Sequence, residues 1–205
     1  MSTEELRQAA AAYYADRLAT HGATPAGVDW NGEESQQVRF DELLRVVEPG
    51  AGRTLLDYGC GYGALLDRVD GLGLEVDYTG YDAAPAMVAA ARERFPGRRF
   101  HDDAGRLATY DHVVASGVLN VRGAADRVAW ERYALATVAE LDRLAVRSFA
   151  FNLLTSYVDW ERDDLYHADP LFWFDHCKRS FSRQVALLHD YGLWEFTIIV
   201  RKEVR

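Results

Sequence analysis

Two hydrophobic periods divide this chain. Helical spacing governs the stretch from Glu4 to Val47, and short period-two apolar runs alternate with helical stretches from Thr54 to Asn152. Glu4 to about Ala19 reads as an alanine-rich helix with Tyr13 and Tyr14 near its middle, broken by His21-Gly22-Ala23-Thr24-Pro25-Ala26-Gly27. A second helix is predicted from about Glu33 to Val47, stopped by Pro49-Gly50-Ala51-Gly52. Strands are then predicted at Thr54–Asp57, Glu75–Asp82, Arg98–His101, Asp111–Ser116 and Val146–Asn152. The helices between them open near Ala64, at Pro85 and near Ala124; Pro85 suits a first helical turn because its missing N–H has no partner to lose there. Leu153 to Asp169 reads as a polar-aromatic connection, and Asp169-Pro170 opens a helix ending near Phe181. Gln184–His189 and Trp194–Arg201 follow as strands, joined by a link too short for anything but an antiparallel hairpin. Repeated strand-helix units imply an α/β, doubly wound, mostly parallel seven-stranded sheet with a C-terminal antiparallel hairpin.

The chain has 205 residues, enough for one well-buried domain. No internal repeat or linker divides it, so positions 1–205 are expected to form one unit. Positions 1–48 would supply N-terminal helices able to act as a lid, and 53–205 a Rossmann-like core. No apolar run approaches membrane-spanning length, and the charged amino terminus has no apolar signal core. Two scattered cysteines, Cys60 and Cys177, make neither a disulfide framework nor a zinc site, which fits a cytoplasmic setting. The formal net charge of -9 repels phosphate backbones, so neither nucleic acid nor membrane is an expected partner. No metal is expected either, because His101, His112 and His167 lack ligand spacing, and Asp163-Asp164 reads as a solvated loop.

The chemistry is concentrated after the first strand, in Leu55-Leu56-Asp57-Tyr58-Gly59-Cys60-Gly61-Tyr62-Gly63. A strand ending in an acid runs into three alternate glycines, and the next strand ends in a second acid, Asp82. Glycines let a loop approach a ligand closely, and a carboxylate beyond the second strand can accept hydrogen bonds from ribose hydroxyls. On glycines alone, Gly59-x-Gly61-x-x-Ala64 also satisfies a relaxed dinucleotide fingerprint. Three features weigh against a dinucleotide. Asp57 would oppose a pyrophosphate, the acid pair Asp102-Asp103 follows the third strand, and the chain has little room for a separate substrate domain.

Together, Asp57-x-Gly59-x-Gly61-x-Gly63, Asp82, Asp102-Asp103-Ala104, Val114-Ala115-Ser116-Gly117-Val118-Leu119-Asn120 and the closing hairpin resemble the class I S-adenosylmethionine-dependent methyltransferases. The lead-in Gly27-Val28-Asp29-Trp30-Asn31-Gly32-Glu33-Glu34-Ser35-Gln36 is similar to that of small bacterial members. The resemblance implies strand order 3-2-1-4-5-7-6 and S-adenosylmethionine as cofactor. It places Asp57 at the methionine ammonium, Gly59, Cys60 and Gly61 along the tail with their N–H groups bare, and Asp82 with Ala83 at the ribose. Asp103 and Ala104 fall at the adenine, and Ser116 and Gly117 near the sulfonium.

Ligands of open α/β sheets bind beyond the carboxyl ends of the strands. Asn152, His189, Asp190 and Tyr191 stand at such ends and are the expected catalytic group, with His189 as a general base supported by Asp190. Tyr13, Tyr14, Trp30, Asn120, Tyr157 and Tyr166 are the expected walls for a small-molecule acceptor, methylated at oxygen or nitrogen. Catalysis would rest mainly on alignment, since the cofactor carries the reactive methyl group.

Overall fold

The computed structural model describes residues 1–30, 32–48, 50 and 52–202. The helix stop expected at 49–52 therefore falls partly outside the described residues, as does Asn31 of the lead-in. Seven longer strands form the sheet: β1 (Arg53–Tyr58), β2 (Val76–Tyr81), β3 (Arg99–His101), β4 (Tyr110–Ala115), β5 (Ala145–Thr155), β7 (Gln184–Leu188) and β8 (Glu195–Arg201). A two-residue β6 (His167–Ala168) pairs with the end of β5. The order is β3-β2-β1-β4-β5-β8-β7, which is the expected order once β6 is set aside. Strands β1 to β5 pair in parallel, and β8 runs antiparallel between β5 and β7. The carboxyl ends of β1, β2, β4, β5 and β7 therefore face one edge, where the topology reverses between β1 and β4.

Each face of the sheet carries its own apolar cluster, as doubly wound sheets require. Leu55, Tyr78, Val114, Ala150 and Ile199 pack on one face against α2 (Glu33–Leu44), α3 (Ala64–Gly71) and α4 (Pro85–Arg94). Leu56, Tyr81, Val113, Phe149, Phe151 and Ile198 pack on the other against α5 (Arg127–Leu144) and α6 (Pro170–Ser180). The connection from β3 to β4 contains only a short 3-10 turn at Ala104–Arg106. The N-terminal helix α1 (Thr3–His21) packs beside α5 and drives Leu6, 1% exposed, into the second cluster. It is thus core as well as roof.

Local chemistry fixes the ends of α1. Ser2 and Glu5 form a capping box, with the Ser2 hydroxyl accepting from the Glu5 N–H and the Glu5 carboxylate from the Ser2 N–H. Gly22, at φ +69°, closes the other end. A 3-10 turn (Pro25–Val28) and Asp29, left-handed at φ 62°, then carry the chain back toward the sheet edge. Asp29 is held there by Tyr13, whose hydroxyl donates to its carboxylate at 2.8 Å, and by Arg17 at 3.1 Å.

The main departures from the sequence reading lie after Asn152. Strand β5 continues to Thr155, because its extra residues pair with Phe196 and Glu195 on one side and with β6 on the other. The apolar run Phe149-Ala150-Phe151 is interrupted at Asn152, and nothing in the local pattern announces the pairing beyond it.

Candidate functional site

A cleft opens at the carboxyl edge between β1, β2 and β4, with about 870 Å³ of empty space counted out to open solvent. Its floor is the glycine turn and the loop after β4; its roof is α1 and the lead-in. Asp57, Gly59, Cys60, Gly61, Asp82, Ala83, Ser116 and Gly117 all line it, as do Tyr14 and Trp30. Arg7, Ala10, Ala11 and Tyr14, one stripe of α1 at helical spacing, face it from above. The alanines leave space where longer side chains would fill the cleft.

The glycine turn is shaped by close neighbours. A side chain at Gly59 (φ +82°) would collide with Val118, and one at Gly117 (φ +72°) would meet the Trp30 ring at 2.5 Å. Both positions need glycine for its conformation and for its bareness. The N–H groups of the turn are not free, contrary to the expectation from sequence. Those of Gly59 and Cys60 donate to the Tyr81 carbonyl at 2.7 and 2.9 Å, and that of Gly61 to Asp82 at 2.9 Å. The turn is stitched to the end of β2, so the recognition of a ligand passes to the two carboxylates.

Asp57 is 2% exposed and accepts one hydrogen bond, from the Tyr78 hydroxyl at 2.7 Å. Burial pushes its carboxyl up to about 7, against the Tyr78 hydrogen bond, with a small upward push from Asp82. A buried acid at the edge of a cleft with one small donor is short of positive charge, which an ammonium would supply. Asp82 accepts from Gly61 N–H through one oxygen and from Ala84 N–H, at 2.8 Å, through the other. Burial raises its carboxyl while these two bonds lower it. Each oxygen keeps a lone pair for a vicinal diol. The Ser116 hydroxyl is buried at the cleft without a partner among the described residues. These features fit a ligand carrying an ammonium and a ribose.

The other sequence-predicted residues are distributed differently. Asp103 is exposed and caps the 3-10 turn through the Gly105 N–H at 2.8 Å; neither it nor Ala104 lines the cleft. His189 and Asp190 are exposed at the end of β7, with the His189 ring 5.9 Å from that of Tyr157. Tyr191 meets the Thr197 hydroxyl at 3.0 Å. These three lie outside the cleft lining. Asn120 accepts from the Leu154 N–H, and the Tyr166 hydroxyl donates to Glu131, so both tie loops to the scaffold. Asn152 reaches the floor indirectly, accepting the Gly117 N–H at 2.8 Å. Sequence reading named Tyr14 and N-terminal helices able to act as a lid, but missed Arg7, Ala10 and Ala11 of the same stripe and two polar residues behind the floor, Arg39 and Glu195. The helical spacing of Arg7, Ala10, Ala11 and Tyr14 was a usable signal for the stripe. Among the described residues no cluster of His, Cys, Asp or Glu could hold a metal, and no helix is long and apolar enough to cross a membrane.

A family model described as a methyltransferase domain matches residues 56–139, from the middle of β1 to the second half of α5. The Mycobacterium tuberculosis protein Rv1506c, provisionally named a methyltransferase, is 50% identical over 164 residues, covering 78% of this chain and 99% of that protein. A Serratia proteamaculans tRNA U34 carboxymethyltransferase is 33% identical over a 103-residue alignment that covers 45% of this chain and 32% of that enzyme. Among solved structures, the Synechocystis magnesium protoporphyrin IX methyltransferase with bound S-adenosylhomocysteine aligns at TM-score 0.66 and 15% identity, over 98% of this chain and 99% of that one. Its S-adenosylmethionine-bound form aligns at TM-score 0.64. At such identity these structures speak for the fold, while the mycobacterial relative, matched over almost its whole length, speaks for the family. The chain belongs to the class I S-adenosylmethionine-dependent methyltransferases.

Proposed function

We propose that this protein transfers the methyl group of S-adenosylmethionine to an oxygen or nitrogen of a small-molecule acceptor. The observation that carries the reading is the roofed cleft. Asp57 and Asp82 stand beneath α1 and the Val28–Trp30 segment, so an acceptor must enter a narrow space already walled by Tyr14 and Trp30. The net charge of -9 opposes a polyanion such as nucleic acid, which supports a small acceptor. The tRNA substrate of the Serratia relative is therefore not carried over.

Asp57 would hold the ammonium of the methionine moiety and Asp82 the ribose diol. The unpartnered Ser116 hydroxyl would complete its hydrogen bonding at the reacting end of the cofactor. The bound cofactor supplies an electrophilic methyl group. The chain's own contribution is to align the acceptor and exclude water, for which effective alignment is worth roughly 7–11 kcal/mol. His189, with Asp190 and Tyr191, remains the proposed proton acceptor; all three stand outside the cleft lining, so an acceptor that uses them extends beyond the cleft.

A thermal-shift comparison tests the cofactor. Ligand at a hundred times its Kd adds about 2.7 kcal/mol, or roughly 5–10 °C for a chain of this size. The rise is expected with S-adenosylmethionine or S-adenosylhomocysteine and not with NAD; the reverse ranking overturns the reading. An acceptor screen with mass detection of S-adenosylhomocysteine then tests the group transferred. Methylthioadenosine in its place would mean cyclisation of the aminobutyrate arm, and no turnover would mean a binding role.

A further inference from the structure

Behind the floor of the cleft runs a buried polar circuit that the proposed chemistry does not use. The Gly117 N–H donates to Asn152 Oδ1 at 2.8 Å, and Asn152 Nδ2 donates to Glu195 Oε2 at 3.0 Å. The same oxygen accepts from Arg39 Nε at 2.8 Å. Arg39 also donates to the Ser35 carbonyl at 2.7 Å, and its guanidinium lies 3.9 Å from the centre of the Trp30 ring. Trp30 in turn covers Gly117, where even a Cβ would be 2.5 Å from its ring. The Tyr14 hydroxyl closes the circuit by donating to the Gly117 carbonyl at 3.3 Å. One residue, Gly117, is thus gripped at its N–H from β5, at its carbonyl from α1, and over its α-carbon by Trp30.

The components are almost dry: Arg39 is 7% exposed, Glu195 2% and Asn152 1%. Stability does not explain such an arrangement, because apolar replacements of a buried ion pair are often as stable or more so. Its polarity does have a geometric use. An ion pair with a planar, forked donor fixes direction, and a stacked guanidinium fixes the tilt of an indole. Among the described residues the hydrogen bonds of Arg39 and Glu195 reach neither the glycine turn nor Asp57 and Asp82, yet each end of their circuit stops at the same residue, Gly117.

We propose that Arg39 and Glu195 are positioning residues which, through Asn152 and Trp30, lock the backbone of Gly117 on the cleft floor to Trp30 above it. Asn152 then works on the floor rather than on the acceptor. The inference rests on the reading that the cleft holds the adenosyl cofactor.

The test is a double-mutant cycle on S-adenosylhomocysteine affinity, measured by titration calorimetry on Arg39→Met, Asn152→Ala and the double variant. Assays are run where far-ultraviolet circular dichroism shows every variant folded. Each single variant is expected to weaken binding roughly tenfold, and the double variant by about the same factor, because both break one circuit. Wild-type affinity in folded single variants would show a role in stability only and overturn the proposal. Roughly hundredfold weakening in the double variant would show independent residues and overturn it equally. If Arg39→Met does not fold, Arg39→Lys replaces it, since it keeps the charge while losing the fork and the stack. Wild-type protein that binds no S-adenosylhomocysteine would sink the cofactor reading first; binding by wild type with unaffected variants sinks the circuit alone.

Discussion

Replacing Asp57 by Asn should make the folded protein more stable and the ligand weaker. The carboxylate is buried with one hydrogen-bond donor, and burial lifts it from the ordinary value of 3.8 to about 7. Below 3.8 the group is protonated both folded and unfolded, and burying it costs nothing extra. As pH rises through this window the unfolded chain releases the proton first, so stability is lost progressively until the folded group also ionises. Lifting the carboxyl from 3.8 to about 7 costs about 4 kcal/mol at pH 8, of which about 2–3 kcal/mol accrues between pH 5 and pH 8. Asn has nearly the same shape, never ionises, and can still accept from the Tyr78 hydroxyl. Calorimetric melting should therefore show Asp57→Asn above wild type at pH 8, with the gap larger than at pH 5 by roughly 5–10 °C. Affinity for S-adenosylhomocysteine should move the other way. In wild type it should strengthen about tenfold from pH 6 to pH 8, as the ionised fraction grows from about a tenth to about nine tenths. In Asp57→Asn it should be weaker and flat with pH. A gap that does not change between pH 5 and pH 8 would refute the claim that Asp57 is a strained buried acid.

Further expectations concern the rest of the cleft. Asp82→Ala should abolish most of the thermal shift by cofactor, since it removes the diol acceptors and the anchor of the Gly61 and Ala84 N–H groups; an unchanged shift would displace the ribose from Asp82. Gly117→Ala should lower stability by about 1–3 kcal/mol in denaturant unfolding, because the new methyl group meets Trp30 at a positive φ. Leu6→Ala should cost about 2–4 kcal/mol, which distinguishes a packed α1 from a loose cover. His189→Ala should leave cofactor affinity and melting temperature unchanged while lowering turnover; wild-type turnover would remove His189 from the reaction.

Much of the molecule was legible in the order of its residues, for identifiable reasons. Strands β1, β2 and β4 announce themselves because each is short, apolar and bounded by glycine or an acid, so local pattern and tertiary role agree. Asp57 and Asp82 could be placed because each stands at the end of such a strand. What escaped depends on partners distant in sequence. Arg39 and Glu195 are separated by 156 residues, and each alone reads as one more charge on an amphipathic element. The end of β5 exists through its pairing with β8 and β6, and β6 through β5 alone. The N–H groups of the glycine turn, read as bare, are claimed by Tyr81 and Asp82, because a turn beside a parallel strand meets that strand's last carbonyl.

The placement of α1 bears on how the molecule assembles. Its apolar anchor, Leu6, rests in a cluster built from β4, β5 and α5, whose last helical residue is Leu144. Leu6 can therefore be seated only once β4, β5 and α5, far along the sequence, are in place, whereas Tyr13 and Arg17 tie α1 to nearby Asp29. Contacts of such long range slow folding. Until they form, the sheet surface beside α5 stands uncovered, open to any passing apolar chain.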